Sequence, residues 1–420
     1  MNNKRIIYLI VSLVSLLILS IVFFAKNNMN SRHDKETANT SLLKAAQNDI
    51  EEESYSTENT SSIQDIDHDN TKTNKSELED KLEEEKLIQE DLPDDTNNTD
   101  GDIDTSDIVD EAEVIPEDIY DTITISAAGD VTLGRDENFG WERTFDHELE
   151  LQNWDFGYFF KNVKDIFEAD DLTIVNLETT LTTATKKADK KFRFKADPSY
   201  VEILKQGNIE AVSIANNHTL DFLEKGYMDT LETLDDAGVG YFGYEHKYIK
   251  QVRDVKIGVL GYYCMKITDK QKDEIKQAIE ELRNEGTDLV IVMFHWGIER
   301  DYWPNSTQKE LAYYSIDQGA DLVLGSHPHV LQGIEEYKGK QIVYSLGNFC
   351  FGGNKNPSDK DTMIYIQRFN FKNRELISQE YDIIPCSISS VGNRNNYQPT
   401  PLEGKEAERV INKINKYSDF

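Results

Sequence analysis

Cysteine is scarce in this sequence: three residues, Cys264, Cys350 and Cys386, in 420. With their odd number and wide spacing, neither a disulfide framework nor a cysteine metal knuckle is readable from them. Such low usage is compatible with a domain exposed outside the cytoplasm. Positive charge is also short. Lys and Arg number 45 against 78 Asp and Glu, giving a net charge of −33. That balance excludes the basic electrostatic footprint of a nucleic-acid binder. There is no internal repeat.

What the sequence does have begins with an apolar run, Ile6 to Ala25, broken only by serines among its aliphatic and aromatic residues. About 20 such residues cross a bilayer core. Lys4 and Arg5 precede the run and favour a cytoplasmic N-terminus, while Lys26, Arg32 and Lys35 follow it. No cysteine follows to take a lipid, and Phe23 and Ala25 make a poor small-x-small cleavage site. Residues 1–26 therefore read as a single-pass anchor in the cell membrane, with the C-terminal domain outside; a cleaved signal peptide is the alternative. Residues 31–120 hold 29 Asp or Glu against 7 Lys or Arg, a net of −22. So little apolar content cannot bury a core, and residues 27–119 read as an acidic, disordered linker that extends by self-repulsion. Residues 120–420 are ample for one sizeable core.

That last region alternates apolar strands and amphipathic helices, an α/β class. Strands are expected at Ile123–Ala128, Leu172–Val175, Ala211–Ile214, Val255–Gly261, Leu289–Phe294 and Leu322–Leu324. Helices are expected at Tyr158–Ala169, Ser199–Gln206, Glu224–Ala237, Asp269–Asn284 and Thr307–Gln318. After these, Gly333–Val343 reads as two strands around a turn, and Met363–Phe371 and Ile377–Ser387 as further strands of a second sheet. A short helix, Gly404–Lys416, closes the chain.

Polar clusters follow five of the strands. They are Gly129-Asp130, Asn176-Leu177-Glu178, Asn216-Asn217-His218, His295-Trp296-Gly297 and Gly325-Ser326-His327-Pro328-His329. If the strands are parallel, all five lie at one sheet edge, where α/β folds bind ligands. Carboxylate and imidazole together suit zinc, manganese or iron, and a bridging carboxylate can hold two ions about 4 Å apart. Taken singly, Asp130, Asn216 and Asn217 are ordinary turn residues, and His295 is a core histidine. Jointly the pattern is stronger, because four of the six histidines beyond the linker fall at strand ends. His147 and His246 fit no cluster and read as surface residues. Arg135, Arg193 and Lys195 are candidate contacts for a substrate carboxylate or phosphate. Trp296, Tyr302 and Trp303 either line a groove or belong to the core.

These clusters, with Gly129 to Arg135, Phe192 to Ala196 and Ser345 to Phe349, resemble the CapA (PgsA) family of poly-γ-glutamate capsule biosynthesis proteins over about residues 122–355. The resemblance implies a four-layer α/β/β/α sandwich related to calcineurin-like metallophosphoesterases. It also implies a membrane-anchored component that assists synthesis or export of an anionic polymer, with other polymer synthase subunits as partners. Carried over residue by residue, Asp130, Glu178, Asn217, His295, His327 and His329 are the metal ligands, and His218 gives a proton to a leaving group. Thr132 stands where the wider metallophosphoesterase pattern has a histidine, which leaves one metal position short of a ligand. One or two divalent ions follow from the resemblance. The alternatives are an extracytoplasmic metal-dependent hydrolase of phosphoesters or amides, and a non-catalytic structural protein with a relic site.

Overall fold

The computed structural model describes residues 118–418. The expected anchor, residues 1–26, and nearly all of the expected linker, 27–119, lie outside them. Among the described residues no helix is long and apolar enough to cross a membrane.

Two large sheets form the mixed α/β core. In the first, Tyr120–Thr132 lies between Asp361–Lys372 and Leu172–Leu177. This sheet runs on through Ala211–Ser213 to Gly240–Phe242, and on the other side through Glu375–Ser387 to Thr400–Pro401. Asn348–Phe351 pairs in parallel with the end of Tyr120–Thr132. The second sheet has the order Ile334–Tyr337, Lys340–Val343, Leu322–Ser326, Leu289–Trp296, Val255–Cys264, Tyr248–Val252. Arg135–Asp136, Phe194–Ala196 and Thr180–Leu181 make a small third sheet.

The strands that carry the five clusters are parallel within each sheet, but they do not share one sheet. The first three clusters end strands of the first sheet and the last two end strands of the second. The late β-rich stretch forms no sheet of its own. Residues 334–343 extend the second sheet, whereas Asp361–Lys372 takes the free edge of Tyr120–Ala127 as a long antiparallel ladder.

Side-chain alternation, the period-2 rule of strands, explains how the sheets pack. Leu289, Ile291 and Met293 join Ile257, Val259, Leu322 and Leu324 in one apolar layer with Ile123, Ile125, Leu172 and Ile174 of the first sheet. Their neighbours Val290, Val292, Phe294 and Trp296 face outward, under Ile275, Ile279 and Leu282 of helix Asp269–Asn284 and Leu311 and Ile316 of helix Ser306–Asp317. The outer face of the first sheet is covered by Tyr227, Leu231 and Leu234 of helix Leu223–Ala237, among others. Each fully buried Leu, Ile or Val contributes about 1.5–3 kcal/mol, so the inter-sheet layer is a major source of cohesion. Arg253, at the hairpin turn of the second sheet, clamps the first sheet through Asp121 and Asp171, each at 2.7 Å.

Helix boundaries follow local chemistry. Thr268 caps Asp269–Asn284 by accepting from the Gln271 amide. Asn305 and Gln308 form a reciprocal capping box at Ser306, and Gly238 ends Leu223–Ala237 at φ +72°. One expected helix does not form. The 3-10 turn Phe156–Tyr158 is followed by irregular turns and a one-turn helix, Lys164–Phe167. Phe159 stacks on Phe145 at 4.1 Å while Phe160 packs on Phe349 at 6.1 Å. A regular helix would not bury two adjacent rings against such different neighbours. Helix Phe145–Leu151, capped by Thr144, was not expected from the sequence.

All three cysteines are buried, with no disulfide among the described residues. Burial pushes the Cys350 thiol well up and the Cys386 thiol to about 12.

Asp170 is held at about pKa 7, chiefly by burial, with the nearby Glu210 charge adding to the rise. Its folded pKa lies above its unfolded value, so the contribution of this group to stability is fully present below about pH 4 and is lost as pH rises through 7. Asp170→Asn is therefore expected to stabilise the fold by about 2 kcal/mol at pH 8, with the gain vanishing near pH 4. Urea unfolding of both proteins at the two pH values checks this; an equal difference at both would refute it.

Candidate metal centre

The site continues the inter-sheet rows past their apolar part. The row Leu289, Ile291, Met293 leads to His295; Leu172 and Ile174 lead to Asn176; Leu322 and Leu324 lead to Ser326. Asp130 joins them because a register shift between Ala127 and Asp130 interrupts the alternation of its strand. Polar side chains from both sheets thus meet at the seam, on the C-terminal side of the parallel strands.

Glu178 lies at the centre and is fully buried. Its Oε1 has no hydrogen-bond partner, yet it is 3.6 Å from His295 Nε2, 3.8 Å from His329 Nε2 and 4.0 Å from His218 Nε2. Ligand atoms of Glu178, His327 and His329 all lie within 4.8 Å of one another. A buried carboxylate oxygen left unpaired among imidazoles is costly, and a divalent cation removes that cost. The residues present therefore fit a divalent metal. Thr132 Oγ1 donates to Glu178 Oε2 at 3.4 Å, so this hydroxyl supports the acid.

Two other expected ligands are placed behind this group. Asp130 Oδ2 is 3.1 Å from His329 Nδ1, and its Oδ1 accepts from Asn176 Nδ2 at 2.8 Å. Asn217 Oδ1 is 3.1 Å from His295 Nε2. The Asp130 contact orients His329, whereas Asn217 Oδ1 can only accept and so orients His295 in the tautomer that carries its hydrogen on Nε2. His295 Nδ1 is 3.1 Å from Ser326 Oγ, whose own hydrogen goes to the Phe294 carbonyl. Donation from Nδ1 to that oxygen turns the Nε2 lone pair toward the cluster. Asn176 Nδ2, 3.2 Å away on the same side, favours the other tautomer when no ion is bound.

Burial and the Asp130 charge push Glu178 well up, against the pull of His329. Burial alone would lower His329, but Glu178 and Asp130 outweigh it and raise the ring to about 10. Burial and the neighbouring imidazoles hold His295 and His327 well below the ordinary range. Without an ion, then, His329 keeps a proton and the other two rings stay neutral, ready to act as ligands.

His218 Nδ1 is 2.7 Å from Asp221 Oδ2. Asp221 is ion-paired with Lys190 at 2.8 Å and accepts from the Phe194 amide. Burial lowers the His218 pKa, with Asp221 opposing. With Nδ1–H committed to Asp221, a neutral His218 presents the Nε2 lone pair to the cavity; the imidazolium presents a proton there. Asp221 was missed in the sequence, where its position three residues after His218 was the available signal.

The cavity over this centre has a volume of about 190 Å³ and is lined by His218 and His329 together with Phe192, Phe194, Arg300 and Tyr302 among others. Arg135, Arg193 and Lys195 are not among its lining residues. Arg135 bonds Asp146 at 2.7 Å, Arg193 NH1 donates to the Ala188 carbonyl at 3.2 Å, and Lys195 Nζ donates to the Ala184 carbonyl at 3.1 Å. Those cations brace the small sheet and its loops. Trp296 is core, stacked on Phe294 at 4.5 Å. His147 and His246 are half-buried rather than on the surface, and His246 lines a separate cavity of about 650 Å³.

Residues 124–353, more than half of the chain, match the family described as "Bacterial capsule synthesis protein PGA_cap". The chain belongs to the PGA_cap family. Its matched span contains every residue of the centre from Asp130 to His329. This PGA_cap chain is 30% identical over 324 residues to the PGA biosynthesis protein CapA of Bacillus subtilis (strain 168), covering 71% of this chain and 80% of that one. It is 30% identical over 256 residues to the capsule biosynthesis protein CapA of Bacillus anthracis, covering 54% and 60%. A solved structure described as a novel phosphatase from Mycoplasma pneumoniae aligns over 64% of this chain and 95% of its own, with TM-score 0.39 and 16% identity.

Proposed function

We propose that this PGA_cap protein assists synthesis or export of an anionic capsule polymer of the poly-γ-glutamate type at the cell surface, and that its centre binds a divalent metal ion, zinc, manganese or iron. The capsule role is supported by family membership and by the names of the Bacillus relatives. The metal reading is carried by one observation: the buried Glu178 Oε1 has no hydrogen-bond partner and is faced by three imidazoles. The run Ile6–Ala25, preceded by Lys4 and Arg5, supports a single-pass anchor that places the domain outside the cell, beside other polymer synthase subunits. We read the order helices, sheet, sheet, helices as the sandwich of the metallophosphoesterase type.

Glu178, His327 and His329 would hold the ion, with His295 beside them and Asp130 and Asn217 orienting the rings. When bound, such an ion supplies Lewis-acid polarisation of a phosphoryl or carbonyl oxygen. The chain's own contribution is then proton transfer at His218 Nε2, with Asp221 fixing the ring and stabilising its imidazolium. The His218–Asp221 pair favours the second reading, a hydrolase of phosphoesters or amides, over a relic site.

The test begins with metal analysis of full-length protein purified without chelators, followed by turnover of a generic aryl phosphate. Bound metal with turnover that falls about 100-fold in His218→Ala, the scale of general acid–base catalysis, establishes the hydrolase. Metal without turnover leaves the accessory role. Absence of metal, with His218→Ala and His329→Ala both silent, would leave only the relic.

A further inference from the structure

We propose that Arg300 takes an oxyanion of the ligand, a carboxylate or a phosphate, at the wall of the cavity above the metal centre. This rests on reading that cavity as the ligand site.

Ion pairing supplies the first argument. Ten arginines lie between residues 135 and 409. Eight of them pair with a carboxylate: Arg135, Arg193, Arg253, Arg283, Arg368, Arg374, Arg394 and Arg409. Among the described residues Arg300 and Arg143 make no ion pair, and of these two Arg300 lines the cavity. Arg300 is exposed, and Glu299 and Asp301 flank it. An arginine left unpaired in such surroundings has its guanidinium available for an incoming anion. Asp359, on the same cavity wall, is already engaged by Tyr302 and Lys413.

Backbone geometry supplies the second. Arg300 adopts φ +64°, and His327 and His329 adopt φ +94° and +56°. The Arg300 amide donates to the Pro328 carbonyl at 2.8 Å, which ties its loop to the turn bearing both histidines. Gln332 Nε2 fixes the far end by donating to the Asp301 carbonyl at 2.8 Å, and the Gln332 side-chain oxygen accepts from Gln308 at 2.7 Å. The guanidinium therefore starts from a backbone held in fixed relation to His327 and His329, as pre-organised recognition requires.

The probes are inorganic phosphate and N-acetylglutamate, titrated separately into full-length protein by calorimetry, before and after chelation of metal. At least one probe is expected to bind wild type. Its affinity should fall about tenfold or more in Arg300→Ala, the scale of a charge-assisted contact. It should fall less in Arg300→Lys, stay unchanged in Arg143→Ala, and rise in Glu299→Gln. Binding of phosphate alone marks a phosphoester ligand; binding of N-acetylglutamate alone marks a polymer carboxylate. The proposal is overturned if Arg300→Ala binds as wild type does, or if wild type binds neither probe at millimolar concentration. Arg300-dependent binding in protein that never held metal would sink the metal reading and leave this one standing.

Discussion

Glu178→Gln is expected to weaken divalent-metal binding by about 100-fold or more, because even groups that merely orient ligands contribute 10–100-fold. The fold should survive. Burial pushes the Glu178 carboxyl well up, so its ionised form is a burden on the folded state, and an amide of the same shape removes that burden. The variant should unfold at the same or higher denaturant concentration than metal-free wild type. Competition with a chromophoric chelator reads the affinity and urea unfolding reads the stability. A variant that loses metal and stability together would mean that Glu178 serves packing. One that keeps its metal would remove Glu178 from the centre.

Gly129→Ala is expected to cost about 3 kcal/mol or more, at the upper end for overpacking. A Cβ at Gly129 would lie 1.8 Å from the Gly347 carbonyl oxygen and 2.8 Å from its carbon. Both are backbone atoms and cannot rotate away. The same oxygen accepts from the Asp130 amide at 2.9 Å, so any shift also displaces the carboxylate behind His329. Gly238→Ala is the control. Gly238 has φ +72°, but a methyl group there would meet no atom within 4 Å, so only the left-handed backbone penalty of about 1–2 kcal/mol applies. Equal losses in the two variants, measured by urea unfolding, would show that the close approach at Gly347 has no special weight.

Much of this arrangement was legible in the sequence, because strand ends and side-chain alternation are local properties. The rows ending at Asn176, His295 and Ser326 can be followed residue by residue, and the helices Leu223–Ala237 and Asp269–Asn284 fall within one residue of their expected limits. Two sheets were expected, but which strands belong to which sheet was not legible. Which edge a strand such as Asp361–Lys372 will take depends on contacts more than 200 residues apart, and period-2 patterning is silent about partners. The role of cations was misleading for a similar reason. Arg135, Arg193 and Lys195 sit close to recognisable clusters, but their partners Asp146 and the carbonyls of Ala188 and Ala184 become visible only when the chain is folded. Arg300 is the reverse case, five residues beyond His295 and conspicuous only once the pairing of the other arginines is known.

The three sealed thiols have a consequence for where this domain can mature. Burial keeps Cys350 and Cys386 almost wholly protonated at neutral pH, and a thiol without its thiolate form is a poor partner in disulfide exchange. The folded domain needs no oxidant to complete it and offers glutathione or an oxidoreductase little to attack. It can therefore hold the same covalent state in a reducing or an oxidising compartment, and the period of redox vulnerability is confined to the time before the core closes.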